Sequence, residues 1–261
     1  MLQDTIKVIF FDVDGTLISH TTHEVPESTR VALEKLKEKG FKRVVATGRH
    51  MLELDMLPVK DIQFDGYVTL NGQLCLDGEG NVIYENPIEG SDKDALVRLF
   101  NEKNIPVALV EKDRMYINYV NQYVESAQQA VSTPVPPVGE YTGEKIYLAI
   151  VYLSKEDEHI MSTKLPGCTA TRWNDYGLDV IASTGGKAKG IKQYLKSVGL
   201  TEKEMIAFGD GENDMEMLNM ANIGIAMGNA VMELKDAANY VTGSVDKNGI
   251  ARALSFYDIL D

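Results

Sequence analysis

The chain has 261 residues, enough to bury one generous core or two modest ones and too many for a disulfide-stapled miniprotein. Its 39 acidic residues outnumber the 26 basic ones for a formal charge of −13, which speaks against nucleic acid and anionic membranes as partners, because both are held by excess Lys and Arg. At face value the same charge should also discourage small anionic substrates.

The apolar run Ile146–Leu153 falls far short of the roughly 20 residues a membrane helix needs. Met1–Ile9 carries Asp4 and Lys7 and does not read as a signal peptide. Cys75 and Cys168 lie far apart without CxxC spacing, so neither a disulfide framework nor a Cys-based zinc site is expected. A cytoplasmic location follows as the expectation.

In chain order, Lys7–Phe11 is a short apolar strand that stops at Asp12-Val13-Asp14-Gly15. Pro26 to Lys39 reads as a helix, with Leu33 and Leu36 on one face and Gly40 after its end. Arg43–Ala46 is a strand stopping at Thr47-Gly48-Arg49, and a helix then leads to strand Gly66–Leu70, which runs into Asn71-Gly72. Strands separated by helices in this way predict βαβ units and a parallel sheet.

The middle of the chain changes character after a hairpin near Asp77–Asn81. A helix at about Asp92–Lys103, strands Val107–Glu111 and Arg114–Tyr119 and a helix near Gln122–Val131 lead into the proline-rich loop Thr133–Pro137. Strand Lys145–Tyr152, a helix near Glu156–Lys164 and strands Thr169–Trp173 and Leu178–Ala182 follow. The order αββαβαββ predicts a separate α+β domain, an antiparallel sheet with helices on one face. From Lys187 or Lys189 the α/β alternation resumes, with strand Met205–Phe208 stopping at Gly209-Asp210 and strand Ile223–Ala226 beyond it. The fold class is therefore α/β, a Rossmann-like parallel-sheet core over residues 1–82 and 185–261, with an α+β cap inserted at 83–184.

Ligands of open α/β sheets bind outside the carboxyl ends of the strands, where Asp12, Asp14, Asp210 and Asp214 would converge. Carboxylates crowded together repel one another unless a cation neutralises them. An all-oxygen set without His or Cys suits a hard ion, Mg²⁺ before all others. Calcium is the rival, but Leu17 and Met215 stand where EF-hand loops begun at Asp12 or Asp210 would need glycine. With Thr47, the Gly48 amide and Lys187 nearby, such a site suits a phosphoryl group. Asp can also act as its nucleophile.

Phe10–Leu17, Ala46-Thr47-Gly48-Arg49, Lys187 within Gly186–Gly190, and Gly209–Asp214 resemble, in order, the four motifs of the haloacid dehalogenase superfamily. Their spacing and the inserted middle domain are similar to the Cof-type phosphatases, which carry a type IIB cap. The resemblance spans essentially the whole chain. It implies a Mg²⁺-dependent phosphatase acting on small phosphorylated metabolites, sugar phosphates foremost, through an aspartyl phosphate. By the same resemblance Asp12 is the nucleophile and a metal ligand. Asp14 is the general acid and base, with its backbone carbonyl on the metal. Thr47, Gly48, Lys187 and Asn213 bind phosphate, Asp210 ligates Mg²⁺, and Asp214 supports metal-bound water. Lys187 is preferred to Lys189 because it stands about three residues before the small residue Gly190.

Other residues stay open. Arg49 is a site residue or an ion-pair partner, and Asn71 is a turn residue or an approach to the site. Trp173 and Asp175 contact substrate or belong to the cap's own structure. His20, His23, His50 and His159 lack ligand spacing and read as surface or local structural residues, although His20 and His23 follow the first motif closely enough to touch a substrate. Glu111–Arg114 reads as a charged, solvent-facing turn. The alternatives to hydrolysis are a phosphomutase and a non-enzymatic metabolite or metal sensor. Monomer or weak homo-oligomer is the expected state.

Overall fold

Val8–Phe11 forms β1, buried along its whole length, as expected of a parallel strand covered on both faces. In the computed structural model, which describes residues 5–131 and 133–260, one compact unit ends at Tyr84 and resumes at Lys187. The second spans Glu85–Gly186. Residues 1–4, part of the stretch read for a signal segment, lie outside the described residues.

After β1 the first unit contains α1 (Glu27–Glu38), β2 (Lys42–Ala46), the short α2 (Met51–Leu54), β3 (Gly66–Thr69), β4 (Leu74–Asp77) and β5 (Val82–Glu85), whose last residue opens the second unit. The second unit continues with α3 (Gly90–Glu102), β6 (Val107–Val110), β7 (Met115–Ile117), α4 (Gln122–Ala130), β8 (Leu148–Tyr152), α5 (His159–Lys164), β9 (Cys168–Arg172) and β10 (Gly177–Ala182). The first unit then resumes with α6 (Lys187–Ser197), β11 (Met205–Gly209), α7 (Met215–Met220), β12 (Ile223–Ala226), α8 (Met232–Ala237), β13 (Tyr240–Val241) and α9 (Gly249–Phe256).

The first unit is built on an eight-stranded sheet in the order β13-β12-β11-β1-β2-β3-β4-β5. From β1 the chain moves through β2 to β3 on one side, and from β11 through β12 to β13 on the other. The strand order therefore reverses between β1 and β11, the crevice where such sheets bind ligands. Register sets the level of the site. Phe11 pairs with both Val45 and Phe208, Ala46 with Val68, and Gly209 with Ala226. The residues that leave these strands next emerge side by side along one edge.

Alternate residues of the central strands feed opposite layers. Ile9, Phe11, Val45, Ile206 and Phe208 pack with Leu33 and Leu36 of α1 and Ile250 and Leu254 of α9. Val8, Phe10, Val44 and Ala207 pack with Ile191, Tyr194 and Leu195 of α6 and with Met217 and Leu218 of α7. Phe11 and Phe208, stacked 5.4 Å apart directly beneath the first and fourth motifs, are both fully buried. Each contributes about 1.5–3 kcal/mol by burial and makes a stiff floor for the loops above.

The second unit is a five-stranded antiparallel sheet in the order β7-β6-β8-β10-β9. Here the expectation of helices on one face needs correction. Leu96, Leu99 and Phe100 of α3 and Met161 of α5 join Val107, Leu109, Ala149 and Val151 on one side. Val124 and Ala127 of α4 join Ala108, Ile117 and Tyr152 on the other. Glu111 is not solvent-facing either. It is buried and accepts hydrogen bonds from Arg114 Nη2 at 3.0 Å and from the Tyr116 hydroxyl at 2.6 Å.

Candidate active site

Asp12 follows β1, and its amide donates to the Phe208 carbonyl at 3.0 Å, continuing the strand pairing by one step. Its buried carboxylate accepts at Oδ1 from Lys187 Nζ at 2.9 Å. Lys187, the first residue of α6, also donates to Asp214 Oδ1 at 2.7 Å. The second oxygen of Asp214 accepts from the amides of Asp210 and Gly211, each at 3.0 Å, so this fully buried side chain shapes the loop in which it lies. Lys189 is exposed on the same helix.

Asp210 sits beside them, with Oδ1 accepting from Thr16 Oγ1 at 3.2 Å and Oδ2 from Asn229 Nδ2 at 3.1 Å. Gly15 explains why the first motif continues with glycine. Its φ is +76°, and a Cβ there would stand 2.1 Å from Asp210 Oδ2. His20 is an exposed residue whose Nε2 lies 3.9 Å from the same oxygen.

Asp14 turns toward the second motif. Arg49 Nε donates to its Oδ2 at 2.6 Å and Nη2 to its Oδ1 at 2.9 Å, a two-pronged pair that lysine could not reproduce. Thr47 is buried, with its amide on the Val68 carbonyl at 2.8 Å and its hydroxyl accepting from the Arg49 amide at 3.2 Å. A Cβ on Gly48 would come within 3.0 Å of Asn71 Oδ1. Asn71 belongs to an unusual turn in which Leu70, Asn71 and Gly72 all have positive φ, at 52°, 53° and 84°. Amides of that turn donate to the carbonyls of Arg49 and Thr47 at 3.2 and 3.1 Å, so the turn after β3 holds the second-motif loop from behind.

Asn213 is exposed at the tip of the fourth-motif loop. Trp173 and Asp175 belong to the second unit, where a Cβ on Gly177 would strike the Trp173 ring at 2.4 Å and the Asp175 carbonyl accepts from Arg172 at 2.8 Å. His50 is a local structural residue: its Nδ1 accepts from the Leu52 amide at 3.0 Å and caps α2.

The electrostatics are those of carboxylates held too close. Burial, and after it the charge of Asp214, pushes the Asp12 carboxyl well above the usual range, with Lys187 pulling the other way. Burial and Asp214 likewise push Asp210 up to about 6. Burial alone would lower the Lys187 ammonium, but Asp12 and Asp214 outweigh it and hold it raised. One oxygen from each of Asp12, Asp210 and Asp214 lies within 4.8 Å of the others. A hard divalent ion fits this all-oxygen set and would offset the burial and repulsion that raise two of its members.

Thr16 and Asn229 are the residues to which sequence reading assigned no role. Asn229 follows Gly228 after β12, another parallel strand ending at the same edge, and that position was its one legible signal. Among the described residues no helix is long and apolar enough to cross a membrane.

Residues 9–254 match the family profile of haloacid dehalogenase-like hydrolases. The chain is 32% identical over 257 residues to YkrA of Bacillus subtilis (strain 168), a protein whose phosphatase assignment is itself an inference, covering 97% of this chain and 98% of that one. It superposes on a phosphatase of the same superfamily from Bacteroides thetaiotaomicron with a TM-score of 0.88 and 34% identity, covering 98% and 96% of the two chains. It superposes on a subclass IIB sugar phosphatase with a TM-score of 0.84 and 34% identity, covering 97% and 100%.

Proposed function

The chain belongs to the haloacid dehalogenase-like hydrolases and is a phosphoric monoester hydrolase, and from that premise we propose that it cleaves small phosphorylated metabolites, sugar phosphates foremost, with Mg²⁺ as cofactor and Asp12 as nucleophile. The observation that carries this reading is the Asp12 carboxylate, buried and held at 2.9 Å by Lys187 beside the carboxylate of Asp210. Mg²⁺ would be held by Asp12, Asp210 and the Asp14 backbone carbonyl, and when bound it supplies positive charge for the phosphate oxygens.

Asp12 attacks phosphorus as the bond from phosphorus to the leaving oxygen breaks, and an aspartyl phosphate forms. Asp14 gives the leaving oxygen its proton and then takes one from the water that attacks the aspartyl phosphate. That second attack releases inorganic phosphate and restores the Asp12 carboxylate. Arg49 orients Asp14 for this work through its two-pronged contact. Thr47 and the Gly48 amide seat the phosphate, Lys187 balances its charge, and Asn213 reaches it from the fourth-motif loop.

Sugar phosphates are favoured by the likeness to the subclass IIB sugar phosphatase. A 27% identical relative of Bacillus subtilis, YitU, is named for 5-amino-6-(5-phospho-D-ribitylamino)uracil and marks the competing substrate class. The two free cysteines suit a cytoplasmic protein, and we place it there as a monomer or weak homo-oligomer. The test is a steady-state panel of sugar, nucleotide and flavin-type phosphates with and without Mg²⁺. Sugar phosphates should lead, and only with the metal. A ranking led by nucleotides or flavin-type phosphates would overturn the substrate class. Asp12→Asn should lose turnover with its circular dichroism unchanged, and substantial residual hydrolysis would end the covalent mechanism.

A further inference from the structure

Asn229 lies outside the four motifs, on the loop leaving β12, and its carboxamide joins three separate pieces of chain. Nδ2 donates to the Gly15 carbonyl at 2.8 Å and to Asp210 Oδ2 at 3.1 Å, while Oδ1 accepts from the Val245 amide at 2.9 Å. Both protons of the amide nitrogen are therefore committed. With Thr16 on Oδ1, the Asp210 carboxylate is held at each of its oxygens by a neutral donor.

Neutral donors fix the direction of a carboxylate and leave its charge intact. A lysine in this place would cancel that charge and compete with a cation. An aspartate could still accept from Val245 but would donate to neither Gly15 nor Asp210, and it would add repulsion. Asparagine, like the Thr16 hydroxyl at the other oxygen, orients an anionic ligand while keeping it anionic, and its second amide proton ties that contact to the glycine of the first-motif loop.

We propose that Asn229 is a positioning residue for the divalent cation, acting through Asp210 and the Gly15 carbonyl. The inference rests on the magnesium reading above and deepens it. Groups that orient metal ligands in this way typically alter affinity by about 10–100-fold when removed. Asn229 is exposed, so shortening it removes no buried apolar surface.

The experiment compares full-length wild type, Asn229→Ala and Asn229→Asp by calorimetric titration with Mg²⁺ alone, by Mn²⁺ binding followed by electron paramagnetic resonance, and by thermal melting. Asn229→Ala should weaken cation binding by about 10–100-fold, and its turnover should recover when Mg²⁺ is raised by the same factor. Asn229→Asp should bind no better than the alanine variant. Binding by Asn229→Ala within twofold of wild type overturns the proposal, as does a lower melting temperature with unchanged cation affinity. Tighter binding by Asn229→Asp than by wild type also overturns it, by showing that charge and not orientation governs the site. A wild-type protein that binds neither ion overturns the magnesium reading and this inference together, whereas wild-type binding with an unaffected Asn229→Ala overturns the inference alone.

Discussion

Lys187 carries its ammonium into a space almost closed to water, with a side chain only 3% exposed, and meets Asp12 and Asp214 there. Removing one partner from a buried charge cluster leaves the others uncompensated, at a cost of about 3–5 kcal/mol. Lys187→Met should therefore unfold at markedly lower urea concentration and lose turnover. Lys189→Ala, at an exposed position, should stay within about 0.5 kcal/mol of wild type. Equal behaviour of the two variants would remove Lys187 from the site. At this scale the acids were legible because they crowd into short, glycine-flanked runs after strands. Asn229 was not, because a single asparagine after a glycine is an ordinary turn, and its contact to Gly15 joins opposite ends of the chain. The partner of Asp14 was undecidable for the same reason, since Arg49 could as well have faced Glu53 alone, to which its Nη1 also donates at 3.4 Å.

Helix α6 meets the left-handed turn after β3 at two glycines. A Cβ on Gly190 would stand 2.7 Å from the Gly72 Cα and 2.9 Å from its carbonyl oxygen, backbone atoms that cannot swing aside. Gly190→Ala gains about 1 kcal/mol of helix propensity. It loses about 1–3 kcal/mol or more to overpacking, and the overpacking wins because the obstacle is main chain. The variant should melt lower and show a raised KM, since the displaced turn is the one holding Thr47 and Arg49. A melt and KM both equal to wild type would show that α6 and the turn move apart freely. The alternation of strands and helices was legible from apolar runs, glycine stops and strand-end acids. The side of the second sheet taken by α4 was not, because all of β6 is buried and a strand apolar on both faces offers no alternation from which to choose.

Over the whole molecule the formal charge of −13 favours any cation, so stabilisation by Mg²⁺ could arise from screening as well as from a site. The two effects separate at Asp210. Burial and Asp214 raise its carboxyl to about 6, so its ionised form strains the metal-free protein at neutral pH. Asp210→Asn should then melt above wild type without Mg²⁺, because it removes a buried charge that the Thr16 hydrogen bond and exposed His20 offset less than burial and Asp214 oppose it. With Mg²⁺ at about 100 times its Kd, binding to the folded state adds about 2.7 kcal/mol to wild type. At roughly 2–4 °C per kcal/mol for a chain near this size, wild type should gain several degrees and overtake the variant. The variant should move only as far as it does in NaCl of equal ionic strength, which is the screening share. Melting curves in buffer, matched NaCl and saturating Mg²⁺ therefore decide whether the excess acid acts as a diffuse field or as a localised cation site. Parallel shifts of both proteins in Mg²⁺ would leave only the diffuse field. A crossing of the two curves places the effect at the sheet edge beside Lys187, where a bound cation would supply the local charge balance that the net charge conceals.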